Sequence, residues 1–208
     1  MGDVERWAAR RSLHLVAGLD EAGRGPLAGP VVAACVVLPP GTDRRTLRGL
    51  DDSKRLSQDH RERLFDRIRD VALAAVTASA SRAEIDEINI LQASLLAMRR
   101  ALEGAVGLVR PDLVAVDGRH PVATRLPQRA FVRGDGRSRN IAAASILAKV
   151  WRDRIMCTLH DMWPCYGFAR HKGYPTADHV KRVAANGPCK VHRWTFAPIK
   201  YMPRLSSS

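Results

Sequence analysis

Residues 15–38, LVAGLDEAGRGPLAGPVVAACVVL, constrain the fold more than any other part of the chain. The run 13–19 is apolar apart from His14 and ends at Asp20-Glu21, so two carboxylates stand where a buried strand would surface. Gly23-Arg24-Gly25-Pro26 follows. Its two glycines let backbone approach a ligand closely, and its arginine offers a planar fork suited to phosphate. The run 31–38 reads as a second buried strand, closed by Pro39-Pro40-Gly41. Together they predict a hairpin with an acidic pair and a glycine turn at its tip. Gly23-x-Gly25-x-x-Ala28 also spells the loose dinucleotide fingerprint, but Gly29-Pro30 would interrupt the helix that fingerprint needs, and Asp20-Glu21 would repel a pyrophosphate.

Beyond the hairpin the patterns alternate. Residues 1–12 form a polar lead-in with helical character. Ser57 is an N-cap candidate for a helix over 58–70, which places Leu64, Ile68 and Val71 on one face. A third strand is read at 71–79. Ser81-x-x-Glu84 is a capping box, opening a short helix that leads into 90–106, where Leu91, Leu95, Met98 and Leu102 form an apolar stripe. Short strands at 113–116 and 129–132 follow. An alanine-rich helix runs on from Arg139, and a last helix is read near 176–185. This interleaving predicts a layered α/β domain. At 208 residues one domain suffices, with its core over about 13–160 and a helical, basic extension over 161–208.

The chain carries a formal charge of +13, concentrated late: residues 131–208 hold 14 Lys and Arg against 4 Asp. Such an excess suits a polyanion, although it also serves as a merely solubilising surface. The longest apolar run, 31–38, is far short of a membrane span, and no secretory signal precedes it, so a cytoplasmic location is expected. Cys35, Cys157, Cys165 and Cys189 lack Cys-x-x-Cys spacing and read as free thiols. A zinc site from Cys157, His160, Cys165 and His171 would fit no standard ligand spacing.

Three further acids share the surroundings of Asp20-Glu21: Asp117 at a strand end, Asp135 between two glycines, and Asp153 inside a helix. Asp117-Gly118 and Gly134-Asp135-Gly136 are also simple turn signals. Taken together, clustered carboxylates repel one another unless hard cations lie among them, and oxygen ligands suit Mg²⁺ or Mn²⁺. Beside a polyanion-binding surface, the matching chemistry is two-metal phosphodiester hydrolysis. Neighbours on a regular strand face opposite ways, so convergence of Asp20 and Glu21 requires the strand to end or bulge there. Asp153 lies four residues after Lys149 on one helix face, which an ordinary ion pair explains.

The ordered set Asp20-Glu21-Ala22-Gly23-Arg24-Gly25-Pro26, Asp52-Ser53-Lys54-Arg55-Leu56-Ser57, Val116-Asp117-Gly118, Gly134-Asp135 with IAAASILAKVWRD after it, His171-Lys172-Gly173-Tyr174 and His192-Arg193 resembles the bacterial ribonuclease HII family. The resemblance covers nearly the whole chain. It implies a ribonuclease H-like mixed sheet flanked by helices, with a C-terminal helical extension. It also implies a Mn²⁺- or Mg²⁺-dependent endonuclease, expected as a monomer, acting on RNA-DNA hybrids and on single ribonucleotides embedded in duplex DNA. On that likeness Asp20, Glu21, Asp117 and Asp135 are the metal-binding carboxylates. Gly23, Arg24 and Gly25 read the ribose 2′-hydroxyl, and Tyr174 packs on the adjacent deoxyribose. Lys54, Arg24 and the helix around Lys149 and Arg152 are expected phosphate contacts. Arg133 departs from the lysine common in the family. A non-catalytic nucleic-acid binder and a junction resolvase of the same general fold are the competing classes.

Overall fold

The computed structural model describes residues 2–43, 47–50 and 56–203. β1 (Val16–Ala22) and β2 (Val31–Val37) form the expected hairpin, with Leu19 opposite Cys35. β3 (Ala74–Ala80) joins the free side of β2 antiparallel. β4 (Leu113–Asp117) and β5 (Gln128–Phe131) extend the sheet in parallel from β1. The order is β3-β2-β1-β4-β5, a mixed five-stranded sheet.

Among the described residues six α-helices accompany it: α1 (Asp3–Ala9), α2 (Gln58–Val71), α3 (Arg82–Val106), α4 (Arg139–Met162), α5 (Phe168–His171) and α6 (Ala177–Asn186). Their placement explains why β2 is apolar at every position. Val31, Ala33, Cys35 and Val37 face the cluster built with α3, whereas Val32, Ala34 and Val36 face the cluster built with α4. A strand covered on both faces loses the alternation that one wet face would impose. Ser57 and Ser81 cap α2 and α3 as their spacing predicts, and Glu84 completes the box on Ser81.

As read from sequence, a short helix after the Ser81 box leads into a second segment from 90; they meet at Asn89 (φ 66°), whose side-chain oxygen re-caps the chain by accepting from Leu91 N (3.0 Å) and Gln92 N (3.2 Å). One local expectation changes: the apolar stripe is rotated. Met98 and Leu102 are core, but Leu91 and Leu95 are only half-buried, because Ala93, Ala97, Ala101 and Ala105 occupy the line nearest the sheet. Small side chains spaced four apart bring the backbone in close, and the leucines fill the flank.

Residues 164–203 gather around Leu27, Ala28 and Met156 in a cluster with Tyr166, Phe168, Val183 and Ile199. They close over the glycine loop rather than over the sheet. Among the described residues no helix is long and apolar enough to cross a membrane.

The backbones of β1 and the start of α4 lie almost in contact. A Cβ on Gly18 would lie 2.1 Å from the Asn140 carbonyl carbon. Backbone atoms cannot rotate away as a side chain can. Gly18→Ala should therefore cost about 1–3 kcal/mol or more in urea unfolding, through displacement of α4; an unchanged midpoint would show that α4 does not rest on this strand.

Candidate active site

Because β1, β4 and β5 run parallel, their C-terminal ends share one edge, and the acids are found there. β1 pairs with β4 only as far as Leu19 opposite Val116, while β2 holds it extended through Ala22. The strand thus neither ends nor bulges at Asp20-Glu21, contrary to the expectation from sequence. The β2 ladder enforces the pleat, and the two side chains leave on alternate faces.

Asp20 is 8 % exposed, and its Oδ1 accepts the Glu21 amide at 2.8 Å. Burial first, then Glu21, Asp117 and Asp135, push its pKa well above the usual carboxylate value. Glu21 is also raised, chiefly by burial; Arg24, with Nη1 3.2 Å from Oε1, opposes the shift. Asp117 Oδ1 accepts the Gly134 amide at 2.6 Å. A Cβ at Gly134 would meet Ile141 Cδ1 at 2.6 Å and Asp117 Oδ1 at 3.2 Å, so only glycine lets this turn close on β4. Asp135 rides on that short 3₁₀ turn (Gly134–Gly136), its Oδ1 accepting from Gly136 N at 3.0 Å.

Buried Asp20, within electrostatic reach of Glu21, Asp117 and Asp135, makes with them an oxygen-donor set that fits a hard divalent cation, which would reverse the cost of ionising Asp20. Among the described residues no three acidic, thiol or imidazole groups are already arranged to hold an ion. Repulsion between like charges opposes closer approach until a cation lies between them.

Beside the acids lies a cleft of about 460 Å³, lined by Glu21, Gly23, Arg24, Gly25, Lys149 and Tyr174 among others. Its glycine loop is held from behind by two buried arginines. Arg193 donates to the carbonyls of Gly29 (3.0 Å), Arg24 (3.0 Å) and Gly23 (2.6 Å). Arg152 donates to Pro30 (3.1 Å), Lys172 (3.0 Å) and Ala28 (3.1 Å). In a trans peptide the next N–H points opposite to the carbonyl. With the Gly23 and Arg24 carbonyls turned inward to Arg193, the amides of Arg24 and Gly25 turn outward, and neither meets an acceptor among the described residues. Gly23 (φ 96°) must be glycine, since a Cβ there would sit 1.9 Å from Arg152 Nε.

Tyr174, 41 % exposed, stands over the loop, with a ring carbon 3.8 Å from where a Gly25 Cβ would lie. Its own carbonyl is tied to a chain of buried imidazoles. His192 Nδ1 accepts from Cys189 N (3.0 Å), His192 and His179 share a 3.2 Å Nε2 to Nε2 contact, and His179 Nδ1 reaches the Tyr174 carbonyl at 2.9 Å. One consistent set of neutral tautomers satisfies every link. Burial lowers His179 to about 4 and His192 to about 3, which keeps them neutral.

The Ribonuclease HII family model matches residues 17–199. The chain belongs to the ribonuclease HII family. It is 55% identical over 186 residues to ribonuclease HII 2 of Methylibium petroleiphilum, covering 89% of this chain and 83% of that one. The ribonuclease H2 structure from Pyrococcus horikoshii superposes with a TM-score of 0.73 at 27% identity, covering 90% of this chain and 96% of that one. The structure of Bst-RNase HIII in complex with Mn²⁺ shares the fold, with a TM-score of 0.68 at 17% identity over 86% of this chain and 73% of that one. The chain is accordingly a hydrolytic nuclease of the type 2 ribonuclease H class, from a family that cleaves RNA in RNA-DNA hybrids and depends on divalent metal.

Within this ribonuclease HII fold the expected phosphate contacts separate. Lys149 lines the cleft and pairs with Asp153 at 2.7 Å, the i,i+4 pair read from sequence. Arg24 is half exposed at the cleft. Arg152 is 1% exposed with its donors on backbone carbonyls, so it is no phosphate contact; it is a prop for the loop. Lys54, with residues 51–55, lies outside the described residues. Arg193 and His179 carried no assigned role in the sequence, because nothing in local periodicity marks a cation or imidazole as buried.

Two measurements follow from these environments. A raised folded-state pKa means the folded protein keeps a proton on Asp20 that the unfolded chain has lost, so stability falls as pH rises above about 4 through the folded value. Asp20→Asn in chelator should melt about 2–4 °C higher at neutral pH, an advantage that fades as pH falls toward the ordinary carboxylate value and is gone below it; a lower melting point at neutral pH would contradict the buried-charge account. Arg193→Met should cost about 3–5 kcal/mol in urea unfolding, since it strands buried carbonyls that Met cannot satisfy, and a loss under about 1 kcal/mol would mean the loop is held by other contacts.

Proposed function

We propose that this enzyme nicks duplex DNA on the 5′ side of an embedded ribonucleotide, and cuts the RNA strand of RNA-DNA hybrids, leaving 3′-hydroxyl and 5′-phosphate ends. The observation that carries the reading is the meeting, at one sheet edge, of buried Asp20 and the three carboxylates whose charge it feels with a loop whose amides face the cleft. Asp20, Glu21, Asp117 and Asp135 are the residues that would hold Mn²⁺ or Mg²⁺. Bound there, a divalent pair supplies an activated water and neutralises the leaving 3′-oxygen.

The chain's own groups do the rest. The outward amides of Arg24 and Gly25 meet the sugar edge, where only the 2′-hydroxyl distinguishes RNA from DNA. Tyr174 presents a ring face to the neighbouring deoxyribose, which its partner across the loop, Gly25, leaves room to approach. Arg24 and Lys149 line the cleft as cations for the flanking phosphates. The Mn²⁺ in the Bst-RNase HIII structure supports the choice of a hard, octahedral cation. A cytoplasmic, non-membrane setting is consistent with this substrate.

A gel assay on a duplex bearing one ribonucleotide, beside an all-DNA control, tests the proposal with Mn²⁺, Mg²⁺ or chelator. A single metal-dependent nick 5′ of the ribonucleotide is expected, and none in the control. Asp117→Asn keeps the oxygen that accepts the Gly134 amide but removes the charge, so turnover should drop on the order of 10²–10³-fold with the fold intact. Near-normal turnover would remove Asp117 from the site. Cutting of branched all-DNA substrate would favour a resolvase instead.

A further inference from the structure

The family match begins at residue 17, so α1 and its connection to β1 lie outside it. α1 packs through Val4 and Ala8 against Val16, Leu113, Phe131 and Ile141 beside the edge strand β5. Its first amides, those of Gly2, Asp3 and Val4, converge on the Arg137 carbonyl at 3.0, 2.9 and 3.3 Å, two residues past Asp135. One end of this helix is thereby tied to the turn that carries a site carboxylate.

Along this edge guanidinium groups and aromatic rings alternate. Arg137 lies over Phe131 at 5.5 Å; Arg129 sits over both Phe131 (5.4 Å) and Trp7 (5.0 Å); Arg11 lies over the Trp7 ring at 4.4 Å. The row therefore runs from the Asp135 turn away along β5 to α1. All three arginines are exposed. None of them forms a carboxylate ion pair among the described residues. The acids on α1 are engaged elsewhere: Asp3 binds Arg6, and Glu5 Oε1 accepts from Ser138 Oγ (2.6 Å) and Asn140 Nδ2 (3.0 Å).

Contact with a ring restricts a guanidinium and leaves donors free for phosphate oxygens; on Arg11, Nη1 is held by the Trp7 carbonyl (3.2 Å), which fixes the group further and leaves its other donors for the ligand. A row of such planes, continuous with the cleft, matches the regular charge of a nucleic-acid backbone better than a scatter of flexible lysines would. We propose that α1 and β5 form an accessory phosphate-binding track for the arm of the duplex that leaves the cleft past Asp135. The track rests on the reading of the cleft as a duplex-cleaving site, and it sets how much flanking duplex the enzyme grips rather than which sugar it reads.

The test is binding in chelator, measured against salt, with a short ribonucleotide-containing duplex that ends just beyond the cleft and a longer one that extends past α1. For the longer duplex, Arg11→Gln with Arg129→Gln should lower the slope of log affinity against log salt by about 1.8, or about 0.9 for each contact removed. The short duplex should bind unchanged, and kcat at saturating long duplex should stay at the parent value. Trp7→Ala, with both charges kept, should lose affinity for the long duplex alone, since the planes are no longer held. Thermal melts check each variant; if Trp7→Ala unfolds, the Gln pair still decides. An unchanged slope, or an equal loss on both duplexes, overturns the track. Failure to nick the duplex would instead overturn the cleft assignment and leave the binding slopes to be read separately.

Discussion

Two buried guanidiniums set the conformation on which the cleft depends. Arg152 and Arg193 are 1% and 0% exposed, and their donors go to six backbone carbonyls, five of them in the loop at 23–30. Burial lowers their pKa values to about 10 and about 9, so both stay charged at neutral pH. A buried cation is costly unless it is fully hydrogen-bonded, and here carbonyl dipoles substitute for a counter-ion. The loop in return gains a fixed shape, and the amides on its far side point toward the cleft already aligned. Polarised from behind by positive charge, those peptide units present stronger donors in front.

The acids opposite depend on topology instead. In a chain with a net charge of +13, a group of carboxylates is an electrostatic exception. Parallel pairing of β1, β4 and β5 delivers Asp20, Asp117 and Asp135 to one edge, and the Gly134 amide fixes Asp117. The result is a negative centre flanked by a positive loop and a basic surface. Phosphate is drawn to the surroundings, while the centre itself has affinity for a hard cation.

The two walls come from distant parts of the chain and are joined by α4. Its first turn lies against Gly18 on β1, and thirteen residues after Arg139 it supplies Arg152 to the loop. The lobe at 164–203 adds Arg193 and the imidazole chain that ends on the Tyr174 carbonyl. Because burial keeps His179 and His192 neutral, that chain has a single direction of donation, and it holds Tyr174 without placing charge beside the cleft.

Local pattern was enough to read the hairpin, the N-cap at Ser57, the capping box at Ser81, strands at 113–116 and 129–132 that the structure places within a residue or so, and the α/β class, since each depends on residues within a few positions of one another. The ordered motifs gave the family. The sequence could not reveal that β1 stays extended through both acids, because that depends on the β2 ladder opposite. Nor could it separate Arg152, a prop, from Lys149, a cleft residue three positions away on the same helix. Arg193 illustrates the general reason: its partner carbonyl on Gly23 is 170 residues away. Side-chain chemistry and short-range periodicity are written in the chain, but whether a charged group faces water or a carbonyl is decided only when remote segments close upon it and remove the solvent.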